Sequence, residues 1–309
     1  MSLKSILRKP IIILIFPLSA FFLLSGCSTH QQVSRQTQPI VESETWDREG
    51  KLSQLKYREL LKRGNYYLDQ NNLELAKLHF TMAVKERPRS APAYTGLAKT
   101  FSRNEQYENS EKAFDKALAS DPLYKPALIA SGRLHRDQGN YSEAIELLNR
   151  ARKHYPENPE VLTELAIAYD MTGQEPKAEP LYKQVVDLNP EDAASHNNLG
   201  FNYFLQKKYQ EAVDELQQAL KLQPDNDRIR NNLATAYALN GNEERAYQLL
   251  VKTIGEAGAY NNIGYLYMIK GMWEKAEQTF KKALNANPVF YSRAQENLKR
   301  LQKLQNANL

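Results

Sequence analysis

The 309-residue sequence holds one cysteine, Cys27, which excludes any disulfide within a single chain. The fold must therefore hold by packing alone. Long apolar runs are also missing. The longest, Ile11 to Leu24, is 14 residues and contains Pro17, whereas a membrane-spanning helix needs roughly 20 apolar residues. Catalytic signatures are absent too: there is no HExxH helix, no GxSxG turn and no Walker loop. The five histidines, His30, His79, His135, His154 and His196, include no pair at metal-ligand spacing. These absences point to a chain that is not an enzyme, with no cofactor, no metal and no small-molecule substrate.

An excess of one charge is missing as well, despite a pI near 9.0. The net charge of +5 includes Lys4, Arg8 and Lys9. Without those three, 38 Lys and Arg face 36 Asp and Glu. So balanced a body gives no support for nucleic-acid binding.

What is present begins with a leader. Lys4, Arg8 and Lys9 form a positive start, Ile11 to Leu24 an apolar middle, and Ser25-Gly26 a small-residue cleavage site. The run Leu24-Ser25-Gly26-Cys27 resembles the bacterial lipobox. That resemblance implies a signal peptide over 1–26, removed before Cys27, and several acyl chains on that cysteine. Several chains at one site satisfy the need of stable anchoring for more than one membrane signal. Ser28 rather than Asp follows the cysteine, which by the same resemblance implies the outer membrane, with the body in the periplasm. Residues 27–50 are polar and read as a flexible tether spanning roughly 26 Å. Trp46, the one large apolar residue nearby, is expected to pack on the first helix, a docking role being the other reading.

From residue 57 the sequence repeats every 34 residues. Position 8 is Gly64, Ala98, Gly132, Ala166, Gly200, Ala234 and Gly264. Position 20 is Ala76, Ser110, Ala144, Ala178, Ala212, Ala246 and Ala276. Position 11 is aromatic: Tyr67, Phe101, His135, Tyr169, Tyr203, Tyr237 and Tyr267. Proline holds position 32 in six of the seven units. This pattern resembles the tetratricopeptide repeat (TPR), a helix–turn–helix unit. Small residues at 8 and 20 let the two helices approach closely, and the proline ends the second. Each unit buries its apolar face against a neighbour. The expected fold is all-α: a TPR α-solenoid coiled as a right-handed superhelix. Its seven repeats fall at 57–90, 91–124, 125–158, 159–192, 193–226, 227–256 and 257–290, and a capping helix with its tail occupies 289–309. His135 and His196 fall on aromatic positions and read as repeat core.

Two breaks stand out. The sixth repeat is four residues short, about one helical turn, and Gly255 and Gly258 are expected to stop the helix and turn the chain there. Pro180 in the fourth repeat is expected to kink its helix or delay its start.

The TPR resemblance implies a binding groove lined by the first helix of each repeat. On this chain it maps Lys62, Lys99, Arg103, Arg133 and Arg136 as a basic zone, with Asp69 and Asp137 as acidic exceptions. Glu160, Glu164 and Asp170 form an acidic zone. Paired asparagines follow: Asn197 with Asn198, Asn231 with Asn232, and Asn261 with Asn262. Phe201, Phe204, Tyr265 and Met268 lie beside them. Carboxamides both donate and accept, so such a row can grip the backbone of an extended peptide. Asn197, Asn231 and Asn261, at position 5, are the less expected members and the favoured functional ones.

The stretches NNLGFNYFLQKKYQEA, DRIRNNLATAYALNGNEERA, AYNNIGYLYMIKGMWEKA and ANPVFYSRAQENLKRL resemble TadD, the TPR lipoprotein of the tight-adherence (Flp) pilus system. The resemblance implies a protein partner among pilus assembly components, with the secretin's delivery to the outer membrane or its multimerisation as the task. Alternative readings are a type IV pilus pilotin and an adaptor for peptidoglycan enzymes.

Overall fold

The computed structural model describes residues 57–287 and 292–307. Cys27, the leader, the tether and Trp46 lie outside the described residues. Fourteen α-helices, and no strand, occupy the described residues. They fall into two compact units that divide at residue 173.

The first unit holds α1 (Tyr57–Asp69), α2 (Leu73–Glu86), α3 (Ala91–Arg103), α4 (Tyr107–Ser120), α5 (Lys125–Asp137), α6 (Tyr141–His154) and α7 (Pro159–Met171). The second holds α8 (Glu175–Leu188), α9 (Ala193–Leu205), α10 (Tyr209–Leu222), α11 (Asp227–Leu239), α12 (Glu243–Ile269), α13 (Trp273–Ala286) and α14 (Ser292–Ala307). Within each unit every helix packs on its sequence neighbours. This is the all-α TPR solenoid arrangement, repeat after repeat.

The small residues do the spacing. A Cβ built on Gly64 would lie 2.7 Å from the Phe80 ring, and one on Gly200 would lie 2.7 Å from Leu216. Phe80 and Leu216 are each 1% exposed, so the close approach of paired helices is what seals them. Burying one such side chain contributes about 1.5–3 kcal/mol. Position 20 is fully buried in all seven units, and its one hydroxyl, Ser110, donates to the Ala98 carbonyl at 2.8 Å. Polar caps start the first helices of several repeats. Ser90, Asn158, Asp192 and Asn226 each accept from backbone N–H groups of the turn that follows, satisfying donors that the helix itself cannot.

Two expectations are narrowed here. Helix α8 is not delayed: it begins at Glu175 and runs through Pro180 to Leu188. Pro176 sits in the first turn, where its missing N–H costs nothing. At the short sixth repeat only Gly255 leaves helical geometry (φ 71°, ψ 171°), and α12 runs on either side of it. Gly258 is helical and buried, so it makes no turn.

Helix α14 packs on α13 and α12 and buries Ala294 and Leu301 completely. His196 is a core residue with polar ties, its ring nitrogens 2.7 Å from Glu215 and 2.9 Å from the Pro190 carbonyl.

Candidate functional site

In the first unit, Lys62, Lys99 and Arg103 are exposed. Arg103 donates to the Leu68 carbonyl at the end of α1, serving a helix terminus as well as the surface. Lys99 reaches solvent, yet desolvation lowers its ammonium pKa, with Arg133 and Arg103 adding to the effect and Glu160 and Asp69 opposing it. A group can be both accessible and desolvated where protein rises around it, as on the floor of a concave face.

The basic and acidic zones expected to be separate are joined. Arg133 donates to Glu164 at 2.8 Å and to Glu160 at 3.1 Å, and Arg136 pairs with the other Glu164 oxygen and with Asp137. Arg136 and Glu164 are 5% and 3% exposed, and Asp170 is also buried. Arg133 is thus an internal tie between the third and fourth repeats rather than an unengaged groove cation. Sequence periodicity places each charge on its helix but says nothing of which charges on adjacent helices meet.

In the second unit the asparagines form rungs. Asn232 donates to Asn197 at 2.9 Å, and Asn297 on α14 donates to Asn261 at 3.0 Å. In both cases the sixth residue of one helix reaches an asparagine at the fifth position of an earlier repeat. Asn197 and Asn261 are 4% and 6% exposed, while Asn198, Asn232 and Asn262 are half-buried. Buried Asn197 and Asn261 therefore accept the rungs, and half-buried Asn198, Asn232 and Asn262 are the more accessible members. The rung between the sixth and seventh repeats is missing: Asn231 is half-buried, and its Oδ1 is buried without a hydrogen-bond partner. This gap falls where the repeat is four residues short.

Aromatic side chains flank the ladder. Phe201 and Phe204 are half-buried and stacked with centroids 5.9 Å apart, and Phe204 meets the Tyr209 ring edge at 6.1 Å. Lys270 lies 4.4 Å from the Tyr209 centroid. Tyr265 is half-buried, and burial pushes its hydroxyl pKa up against the opposing pull of Arg300. Met268 is buried rather than groove-facing. Asn297 was missed by the sequence reading. Its signal was available, since it is the sixth residue of α14 as Asn198 and Asn232 are of α9 and α11.

Among the described residues no group of three or more His, Cys, Asp or Glu could hold a metal ion. No described helix is long and apolar enough to cross a membrane. The arrangement offers hydrogen bonds, aromatic surface and fixed charge, which suit recognition of another chain.

Comparison with known proteins agrees. Profiles described as tetratricopeptide repeat match residues 61–125, 135–199 and 257–290, and one described as TPR repeat matches 202–241. The chain is 28% identical to the human protein O-mannosyl-transferase TMTC1 over 69% of its own length and 24% of that protein's. It is 24% identical to the peroxisomal targeting signal receptor of Kluyveromyces lactis, over 70% of this chain and 39% of that one. The chain thus spans well under half of these relatives. Among solved structures, a TPR protein from Parabacteroides merdae is similar with a TM-score of 0.58 at 19% identity, over 80% of this chain and 98% of that one. Pseudomonas aeruginosa pilF is similar with a TM-score of 0.58 at 21% identity, over 63% and 89%. Both likenesses concern the fold. The chain belongs to the tetratricopeptide-repeat family, whose members serve as scaffolds for protein–protein interaction.

Proposed function

We propose that this chain is a lipid-anchored scaffold that grips an extended segment of a pilus or secretin component along the asparagine face of its second unit. The observation that carries the reading is the ladder. The fifth-position amides Asn197 and Asn261 are held by Asn232 and Asn297 and donate to Asn198 and Asn262 at 3.5 and 3.4 Å, while Asn198, Asn232 and Asn262 are only half-buried. A carboxamide has more donor and acceptor sites than one rung uses, so a peptide backbone can complete them. Phe201, Phe204 and Tyr265 add apolar contact beside the row.

The leader supplies the address. Acylation of Cys27 would hold the body at the outer membrane on the tether of residues 27–50, and an anchored binder raises the local concentration of its client there. The motifs that resemble the Flp pilus lipoproteins favour an assembly component, the secretin first, as that client.

The test is co-purification from solubilised envelopes, with mass spectrometry of what is retained. The secretin of a Flp/Tad system is expected with the wild-type chain and is expected to be lost with Asn198→Ala/Asn262→Ala, which leaves the Asn232 rung in place. Unchanged retention by that variant would sink the groove. A type IV pilus secretin or a cell-wall hydrolase in its place would replace the client while keeping the groove. Cys27→Ser is expected to release the chain from the membrane fraction, and the absence of acyl mass on Cys27 would overturn the anchor.

A further inference from the structure

A second surface lies away from the asparagine ladder. It is a cleft of about 630 Å³ between α10 and the first half of α12, within the second unit. Its floor is Leu233 and Tyr237 of α11, both nearly buried, with Leu220 and Leu249 on the walls. The Tyr237 hydroxyl is held by Gln217 at 2.5 Å and by Arg245 at 3.3 Å, and Arg245 also lies over the Tyr237 ring. The floor is therefore fixed in place. Lys221, Arg245 and Lys252 stand on the rim, all exposed, and no carboxylate lines the cleft. Two carboxylates adjoin lining residues in sequence, Asp225 and Glu244, and Glu244 is held by Gln248 at 2.8 Å. An apolar floor under three cations selects an acidic segment with one large apolar side chain, and the volume is that of ordinary ligand clefts.

The chain itself contains one such segment. Residues 40–49, IVESETWDRE, carry Glu42, Glu44, Asp47 and Glu49 against a single Arg48, and surround Trp46. We propose that this cleft receives residues 40–49 of a second copy of the chain, with Trp46 on the Leu233–Tyr237 floor and the carboxylates against Lys221, Arg245 and Lys252. A tryptophan brings a large apolar area and an N–H donor to such a site, and Arg245 can stack on its ring. The tether would then link neighbouring copies as well as space the body from its anchor.

The test is fluorescence polarisation of a labelled peptide of residues 40–49. The receptor is the full-length chain in detergent, carrying Trp46→Ala so that its own segment does not compete. Binding is expected, weakening as salt rises because the rim charges are exposed. Lys221→Gln/Lys252→Gln in the receptor is expected to weaken it by about tenfold or more, and so is Trp46→Ala in the peptide. Both lysines are exposed, so the helical circular-dichroism spectrum and melting temperature should not move. No binding, or equal binding by the lysine variant, overturns the proposal. Sedimentation equilibrium gives a second reading: self-association of the wild-type chain is expected to fall with Trp46→Ala, and unchanged association would assign it to another surface.

Discussion

Asn232 donates its side-chain amide to the carbonyl oxygen of Asn197 at 2.9 Å, tying the first helix of the sixth repeat to the first helix of the fifth. Asn297 and Asn261 repeat the bond at the other end of the second unit. These bonds set Asn197 and Asn261 apart from the other four paired asparagines. Buried Asn197 and Asn261 accept the rungs, Asn231 makes none, and half-buried Asn198, Asn232 and Asn262 have capacity left for a partner, Asn232 while also donating a rung. One residue along a helix turns the side chain by about 100°, and that rotation separates buried Asn197 and Asn261 from half-buried Asn198 and Asn262.

The division predicts opposite outcomes for neighbouring substitutions. Asn197→Ala removes the buried acceptor of the rung, and half-buried Asn232 can turn its amide to water, so it is expected to cost about 0.5–1.5 kcal/mol. Asn198→Ala, on the accessible side, is expected to stay within about 0.5 kcal/mol while weakening client binding. Urea denaturation of the two variants measures the contrast. Equal losses would show that the rung contributes nothing.

The buried pair of Arg136 and Glu164 predicts a larger effect. Each is nearly inaccessible, and Glu164 also accepts from Arg133. Glu164→Ala leaves Arg136 buried, with only Asp137 beside it. A broken buried pair costs about 3–5 kcal/mol, whereas replacing both partners by apolar residues of similar volume is often neutral or stabilising. Arg136→Met/Glu164→Leu should therefore recover most of the stability lost in Glu164→Ala. A double variant as unstable as the single one would assign the loss to packing instead.

How far the sequence carried the reading follows from these residues. Gly64, Ala98 and their equivalents set the repeat register, because only small side chains tolerate that approach and the tolerance recurs every 34 residues. The first helices accordingly begin at Tyr57, Ala91, Lys125, Pro159, Ala193 and Asp227. The Arg133–Glu164 tie was not legible, because periodicity fixes a residue's face but not its neighbour on the next helix. That Asn197 is buried while Asn198 is half-buried was not legible for the same reason. Gly258 was misread as a turn because glycine content alone does not tell a left-handed residue from one admitted for space.

Gly255 is the left-handed one. Its φ of 71° with ψ of 171° lies in a region open essentially to glycine alone, and no atom lies within 4 Å of where a Cβ would sit. The cost of Gly255→Ala is therefore backbone strain with no steric part, about 1–3 kcal/mol. Thermal melts of Gly255→Ala check it, and an unchanged midpoint would mean that the chain takes another path between the two halves of α12.

Pro180 predicts the reverse sign. It stands inside α8, is exposed, and has no N–H to give to the helix. An interior proline costs a helix about 3 kcal/mol, and an exposed ring offsets little of that by packing. Pro180→Ala is expected to stabilise the chain by about 1–3 kcal/mol, read as a higher urea midpoint. A loss of stability would show that the helix depends on the bend the ring imposes.

The last prediction concerns acid. Burial tends to raise the Glu179 carboxyl pKa, but hydrogen bonds from Lys183 and Lys208, both at 2.7 Å, and from Gln206 at 2.9 Å outweigh it and hold it near about 2, below the ordinary 4.5. The folded value lies below the unfolded one, so the folded state favours the charged form. The stabilisation is present in full above about pH 4.5 and is lost as pH falls from there toward about 2. Glu179→Gln cannot titrate. It should be less stable than wild type at neutral pH, and the gap should close through that window. Urea midpoints of both chains from pH 7 to pH 2 measure the difference, in which the other titrating groups cancel. A gap that stays constant with pH would mean that Lys183, Lys208 and Gln206 do not hold the charged carboxylate in solution.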